Sequence, residues 1–344
     1  MIAIHHRKDS FSQNWIDFCK NKNINCKIVD CYDNDIIDQV KDCDALMWHW
    51  SHTNHKDLLF ARQLTYSLEM MGKVVFPCSK TAWHFDDKVG QKYLLETVGA
   101  PIINSYVFYG KKEVLEWLSS TEFPKVFKLR CGACSSNVKK ICSKRKARKY
   151  IKKAFGAGFK ARERIDFLKE RLWHFRRDKN IKSFLNISRG IARLIIPSKT
   201  LINLPKQRGY IYAQDFIPNN NYDIRIIIIG NRAFAIKRMV RAGDFRASGS
   251  GDIIYDMKQI PLECVKISFE ITSRLKAQCL AFDYVLLDGI PKIVEISYGF
   301  NRLGYLDCPG YWNSSLEWKP GKFTPENFMV EDVISQVDIK KNKT

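Results

Sequence analysis

The period of apolar positions changes repeatedly along the first hundred residues. MIAIHH at 1–6 is a short apolar strand, and Phe11 to Lys20 carries helical spacing. Lys27 to Cys31 reads as a second strand, Asp35 to Val40 as a helix, and Ala45 to Trp50 as a third strand. A helix around Leu58 to Met71 leads into the strand KVVFPC. Strands alternating with helices predict a parallel sheet covered by helices, because each crossover must bury its apolar stripe on a sheet face. No glycine-rich loop follows the first strand, so a dinucleotide fingerprint is absent.

A further helix starts near Asp87, followed by the strand NSYVFY, a helix at Lys111 to Ser119, and the strand FPKVFKL with its loop CGACSS. Helical spacing then recurs at Ile165, Leu168, Leu172 and Phe175, and at Phe184, Ile187, Ile191 and Ile195, until Pro197 stops it. Strands follow at Tyr210 to Phe216, Asp223 to Ile229 and Ala233 to Val240. A helix at Cys264 to Ala277 leads into a last hairpin, CLAFDYVLLDG–IPKIVEIS.

Composition narrows the class. A chain of 344 residues with 45% hydrophobic content can bury a sizeable core and is not disordered. No apolar run approaches the ~20 residues of a membrane-spanning helix, and the start lacks a signal-peptide core. Eleven cysteines without a repeating framework read as reduced thiols, which places the chain in the cytoplasm. The net charge of +21 is concentrated. Residues 144–208 hold 21 Lys or Arg against four acids, an excess of 17, which leaves 21 − 17 = 4 for everything else.

The hairpin carries the first candidate chemistry. A three-residue loop (Asp288, Gly289, Ile290) would pair Leu287 with Pro291 and set Asp283 opposite Glu295, on one face. A two-residue loop would point the two carboxylates to opposite faces. Carboxylates that close repel unless one is protonated or a cation lies between them, and oxygen donors so placed suit Mg²⁺ together with substrate phosphates. Lys128 lies in the apolar strand VFKL, where an ammonium needs an anion. Amides of the small-residue loop 131–136 can approach phosphate oxygens. Arg225 and Arg238 fall on apolar strands, and Arg246 lies in the loop DFRASGSGD. Lys, Arg and paired carboxylates together are what phosphoryl transfer requires.

From about Val75 to Phe300 this ordered series resembles the ATP-grasp superfamily. Asp87-Lys88 opens a helix before GAPIINS; FPKVFKL offers Lys128; IYAQDFI is similar to the adenine-reading hinge; YDIR, AIKRMVRAGDFRASGSG and AFDYVLLDGIPKIVEIS follow in order. The resemblance implies an α/β protein in three parts. These are an N-terminal parallel β-α domain (1–102), a central lid (103–208) with a basic helical insert (144–208), and a C-terminal α+β catalytic part (209–344). It implies ATP and Mg²⁺ as cofactors. Lys88 and Lys128 would contact phosphates, the hinge Gln214, Asp215, Phe216 and Ile217 would hold the base, and Asp223 would meet the ribose or its surroundings. Asp283 and Glu295 would hold Mg²⁺. Arg238 and Arg246 would act as the catalytic cations on the transferred phosphoryl group. Ser297 stands where the ligase branch commonly has a metal-binding Asn, and a hydroxyl is the weaker oxygen ligand. The phosphate loop has cysteines where glycines are more usual, which implies a stiffer backbone.

The likeness is strongest to the branch that ligates amino acids to a carboxyl acceptor, similar to ribosomal-protein glutamate ligases, and to ATP-grasp proteins of bacterial surface-polysaccharide gene clusters. The implied reaction is carboxylate–amine ligation through an acyl phosphate, on an acceptor such as an acidic sugar. A non-catalytic nucleotide, lipid or glycan binder and an ATP-grasp kinase are the alternatives. Cys131-x-x-Cys134 lacks the second pair a zinc site needs. His49, His52 and His55 line the mouth of the first sheet, where Trp48, Trp50, Trp83 and His84 could also form an aromatic platform. The basic segment fits an anionic membrane surface at the inner face, or an acidic glycan; without a base-reading motif, nucleic acid ranks below both.

Overall fold

The computed structural model describes residues 1–132, 137–160, 171, 172, 175, 205–241, 243–247 and 249–343. Within them the chain divides into two compact units. One comprises Met1–Ser51, Lys56–Ile103 and Ile217–Thr344, the other His52–His55 and Asn104–Phe216.

The first unit opens with β1 (Ile2–His5), α1 (Ser12–Asn21), β2 (Cys26–Val29), α2 (Ile36–Gln39), β3 (Ala45–Met47), α3 (His55–Met70) and β4 (Val74–Phe76). The four strands form a parallel sheet in the order β2-β1-β3-β4. β1, β3 and β4 are buried along their whole length, as strands covered on both faces must be, whereas edge strand β2 exposes Lys27 and Ile28. Two short helices follow, α4 (Ser79–Ala82) and α5 (Lys88–Thr97), the latter capped by Asp87, whose carboxylate accepts from Gly90 N at 3.0 Å.

The second unit contains β5 (Ser105–Phe108), α6 (Lys111–Ser120), β6 (Lys125–Lys128), β7 (Val138–Ile141), α7 (Lys144–Ala154) and β8 (Ile211–Asp215). Its strands pair antiparallel in the order β5-β8-β6-β7. Phe127, Ile141, Ile211 and Ala213 pack there against Val114 and Leu118 of α6 and Tyr150, Ile151 and Ala154 of α7. The helical spacing expected at Ile165–Phe175 and Phe184–Ile195 lies outside the described residues, apart from Leu172 and Phe175.

The chain returns to the first unit with β9 (Tyr222–Ile229), β10 (Arg232–Met239), β11 (Ile253–Ile254), α8 (Leu262–Leu275), β12 (Cys279–Leu287), β13 (Ile290–Ser297), β14 (Gly310–Asn313), β15 (Trp318–Pro320) and α9 (Pro325–Lys341). These strands form an antiparallel sheet, β13-β12-β9-β10-β14-β15, with β11 added on β10. β9 is its spine. Ile224, Ile226 and Ile228 face α8, while Ile227 and Ile229 join a core that includes Met329, Val330 and Val333 of α9 and Ile2, Ile4 and Trp15. A central strand buried on both faces explains the unbroken run IIII. Among the described residues no helix is long and apolar enough to cross a membrane.

The hairpin corrects the expected loop. Leu287 pairs with Ile290, so the loop holds two residues, with Asp288 at φ +52° and Gly289 at φ +81°, the backbone of a type I′ turn. Asp283 nevertheless stands opposite Glu295. The register shifts between Asp283 and Tyr284: Tyr284 pairs with Ile293 and Asp283 with Glu295, which leaves Val294 as an extra residue on β13. This β-bulge restores what a two-residue loop alone would have undone.

Candidate active site

Register alone builds most of one constellation in the first unit. Asp283 on β12 lies between Glu295 on β13 and Arg225 on β9, and Asp223 on β9 lies opposite Arg238 on β10. Opposed residues, and residues two apart on one strand, share a face. Glu295, Asp283, Arg225, Asp223 and Arg238 therefore project from one side of the sheet. Deeper on that side the strands continue with Ile227, Ile229, Ala281, Phe234 and Ile236, all core. Each strand is thus apolar at one end and charged at the other.

The charges interlock. Arg238 donates through Nε and Nη2 to the two carboxylate oxygens of Asp223, each at 2.6 Å, and Nη2 also reaches Asp283 Oδ1 at 2.9 Å. Arg225 Nε lies 3.4 Å from the same Asp283 oxygen. Lys88, the first residue of α5, is buried and donates through Nζ to Glu295 Oε1 at 2.9 Å. Three carboxylates thus stand beside three cations. Burial works against the charge on Arg238, yet Asp283 and Asp223 outweigh it and hold the guanidinium protonated well above its ordinary range. Arg225 is shifted the same way, burial being offset chiefly by Asp283. Burial pushes the Tyr305 hydroxyl up to about 12, against the two arginines near it.

The donor set fits a hard divalent cation. Asp283 and Glu295 offer carboxylate oxygens from adjacent strands on one face, and among the described residues no group of three or more His, Cys, Asp or Glu could form a full protein cage. Mg²⁺ is commonly held in this way, by one or two carboxylates and the oxygens of phosphates and water. Ser297 lies on the same face, but its hydroxyl donates to Gly299 O at 2.9 Å and accepts from Gly299 N at 3.2 Å. Arg246 turns toward Asp244, Nε lying 2.8 Å from Oδ2.

Lys128, Gln214, Asp215 and Phe216 lie in the second unit, and Ile217 is where the chain re-enters the first. Lys128 opposes Tyr212 and Val126 opposes Gln214, so Lys128 and Gln214 share the face away from α6 and α7, both buried. Gln214 Nε2 donates to Tyr212 Oη at 2.9 Å and Ser105 Oγ at 3.0 Å. Asp215 accepts from Lys125 Nζ at 2.6 Å, and Lys140 Nζ sits 3.6 Å from the Phe216 ring centroid. Most of the loop at 131–136, Cys134 included, lies outside the described residues.

The aromatic residues of the first unit are mostly core. Trp48 and Trp50 are fully buried, with Trp50 against Phe85 and Tyr298. His49 stacks on Phe11, ring centroids 3.8 Å apart, and accepts from Phe11 N. His84 is fully buried, and burial draws its imidazole down to about 4. Trp83, by contrast, is exposed. The sequence places Arg225 among the candidate cations without a contact of its own and does not single out Tyr305. For Arg225 the signal was present in YDIR, since a residue two positions from Asp223 must share its face.

No family model matches the sequence, and no curated protein sequence is similar to it. Solved structures are similar in fold. A RimK domain ATP-grasp protein from Sphaerobacter thermophilus superposes with a TM-score of 0.54 at 12% identity, over 97% of this chain and 99% of that one. The D-alanine–D-alanine ligase of Bacillus anthracis, complexed with ATP, gives 0.53 at 14% identity, over 100% and 99%. The biotin carboxylase domain of the Hydrogenobacter thermophilus 2-oxoglutarate carboxylase, with MgADP and bicarbonate, gives 0.59 at 8% identity, over 97% and 69%. Parallel N-terminal sheet, intervening antiparallel unit and antiparallel sheet with its charged end together make this an ATP-grasp fold.

Proposed function

We propose that this chain is an ATP- and Mg²⁺-dependent ligase that joins a carboxylate to an amine. The observation that carries the reading is the pairing of Asp283 with Glu295 on one face, flanked by Arg238, Arg225 and Lys88. Similarity to ligases and to nucleotide-bound structures of the same fold supports it.

In this reading Asp283 and Glu295 hold Mg²⁺, and Ser297, engaged with Gly299, is the weakest oxygen of the three. The metal, when bound, screens the charge of the nucleotide phosphates. Lys88 and Lys128 contact phosphate oxygens, and Gln214 to Ile217 receive the base. Asp223 lies near the ribose and holds the Arg238 fork in place. Arg238 and Arg246 steady the transferred phosphoryl group, where fixed cations stabilise the developing charge. The acceptor carboxylate oxygen bonds to the γ-phosphorus and ADP leaves. The amine nitrogen then bonds to the acyl carbon, phosphate leaves with the bonding pair, and the amine loses a proton.

The acceptor we favour is an acidic sugar of a surface-polysaccharide precursor. Segment 144–208, with its local excess of 17 positive charges, serves as the element that meets an anionic partner, a glycan or the inner face of a membrane. A screen of ADP release over amino acids crossed with acidic sugars tests the chemistry. ADP formed only when both partners are present supports ligation; ADP formed with the acid alone, and recovered as a stable phosphorylated product, overturns it.

A further inference from the structure

Helix α7 obeys its packing and breaks the electrostatic rules for a helix. Its sequence, KRKARKYIKKA, has seven cations in 11 residues and no acid. At about 100° per residue, Ala147, Tyr150, Ile151 and Ala154 occupy one arc of about 100°, and all four are buried in the core of the second unit. Lys144, Arg145, Lys146, Arg148, Lys149, Lys152 and Lys153 occupy the opposite arc of about 200°, and all seven are exposed.

That arc is unfavourable for the helix itself. Lys144, Arg145 and Lys146 stand in the first turn, where the helix dipole favours anions. Pairs 144–148, 145–149, 148–152 and 149–153 at four residues, and 145–148, 146–149 and 149–152 at three, all set like charges side by side. Lys144 donates to Ser119 O, and Lys153 lies over the Phe159 ring at 4.7 Å. The side chains of Arg145, Lys146, Arg148, Lys149 and Lys152 have no ion-pair or hydrogen-bond partner among the described residues. Local cost without a compensating contact among the described residues points to a partner that supplies the anions.

From this face we infer that α7 is a headgroup-level contact with an anionic lipid bilayer. The inference rests on reading segment 144–208 as an anion-binding element and is independent of the ligase chemistry. The face is a convex ridge about 16 Å long, which suits a broad surface rather than a chain held in a cleft. Its exposed arc offers no aromatic ring to stack on a base and no amide to read one. Its apolar arc is consumed by the core, so α7 cannot insert as an amphipathic surface helix does. Five lysines, compact point charges, and two arginine forks remain, and both bind headgroup phosphates.

Flotation of the full chain with phosphatidylcholine vesicles, with and without a third of phosphatidylglycerol, tests this. Binding is expected only to the anionic vesicles and should fall steeply with added salt. The triple variant Lys146→Gln, Lys149→Gln, Lys152→Gln should lower partition roughly 100-fold, at about fivefold per charge. Its melting temperature should equal or exceed that of the unaltered chain, because like-charge pairs are relieved. Should the triple variant melt lower, Arg145→Gln with Arg148→Gln is read in the same way. Equal binding to both vesicles, or undiminished binding by the variants, overturns the proposal. If duplex DNA or heparin of equal charge strips the protein from the vesicles, the partner is another polyanion and the lipid assignment falls. If none of the three binds, the anion-binding reading of the whole segment falls as well.

Discussion

Glu295 faces Asp283 because Val294 bulges out of the β12–β13 ladder. Without that bulge the two-residue turn at Asp288-Gly289 would set Val294 opposite Asp283 and send Glu295 to the helix-covered face. Bulges are found beside active sites, where they re-aim a side chain. Here the re-aimed chain is a carboxylate that meets Lys88 at 2.9 Å.

Removing either carboxylate charge should stop catalysis and spare the fold. Asp283→Asn and Glu295→Gln keep shape while removing an anion, so Mg²⁺-dependent ATP turnover should drop by roughly 10²–10³, the usual scale for one electrostatic contact in a transition state. Circular dichroism should be unchanged. Turnover within a few-fold of the unaltered enzyme would reject the assigned role.

Asp223 should matter through Arg238. With both Asp223 oxygens bound to Arg238 and the pair largely buried, Asp223→Ala leaves a buried cation short of one partner. Breaking such a pair costs about 3 kcal/mol or more. Urea denaturation measures the loss, and a change under about 1 kcal/mol would mean that the pair is solvated in solution.

Much of this architecture was legible in the sequence. The β-α alternation to Phe76, the run IIII of β9 and the Asp288-Gly289 turn each follow from local chemistry. The bulge does not, because it depends on cross-strand packing and Val294 has no distinguishing residue type. α9 lies beyond the elements read from the sequence, although Pro325 at its start and Met329, Val330, Val333 and Val337 carry readable helical spacing. The family resemblance implies a phosphate contact for Lys88, but its contact with Glu295, 207 residues away, belongs to the tertiary structure. Trp48 and Trp50 illustrate the opposite lesson: aromatic residues at strand ends are core here.

His84 should make stability depend on pH. Its folded pKa is drawn from 6.5 to about 4 by burial, so between these values the unfolded chain binds the extra proton. Stability from this group is complete above about pH 6.5, declines as pH falls, and is gone below about pH 4; the span is about 3 kcal/mol. His84→Leu should flatten the melting temperature profile over that window. An unchanged slope would assign the acid sensitivity to other groups.

Gly230 should resist substitution. It turns β9 into β10 at φ +54°, and a Cβ there would come within 2.2 Å of Asp332 Oδ2, whose carboxylate is held by Arg232 at 2.8 Å. Gly230→Ala should cost about 2 kcal/mol through the left-handed backbone and the displaced carboxylate, with nucleotide binding intact in the folded fraction. A neutral effect in thermal unfolding would contradict the turn geometry.

The central claim is a metal–nucleotide site on Asp283 and Glu295. Calorimetric titration with a non-hydrolysable ATP analogue, with Mg²⁺ and with chelator, tests it most directly. The account expects binding with Mg²⁺, at least tenfold weaker binding without it, and loss of that metal dependence in Glu295→Gln. Equal affinity with and without Mg²⁺, or a metal dependence that survives both Asp283→Asn and Glu295→Gln, would contradict it.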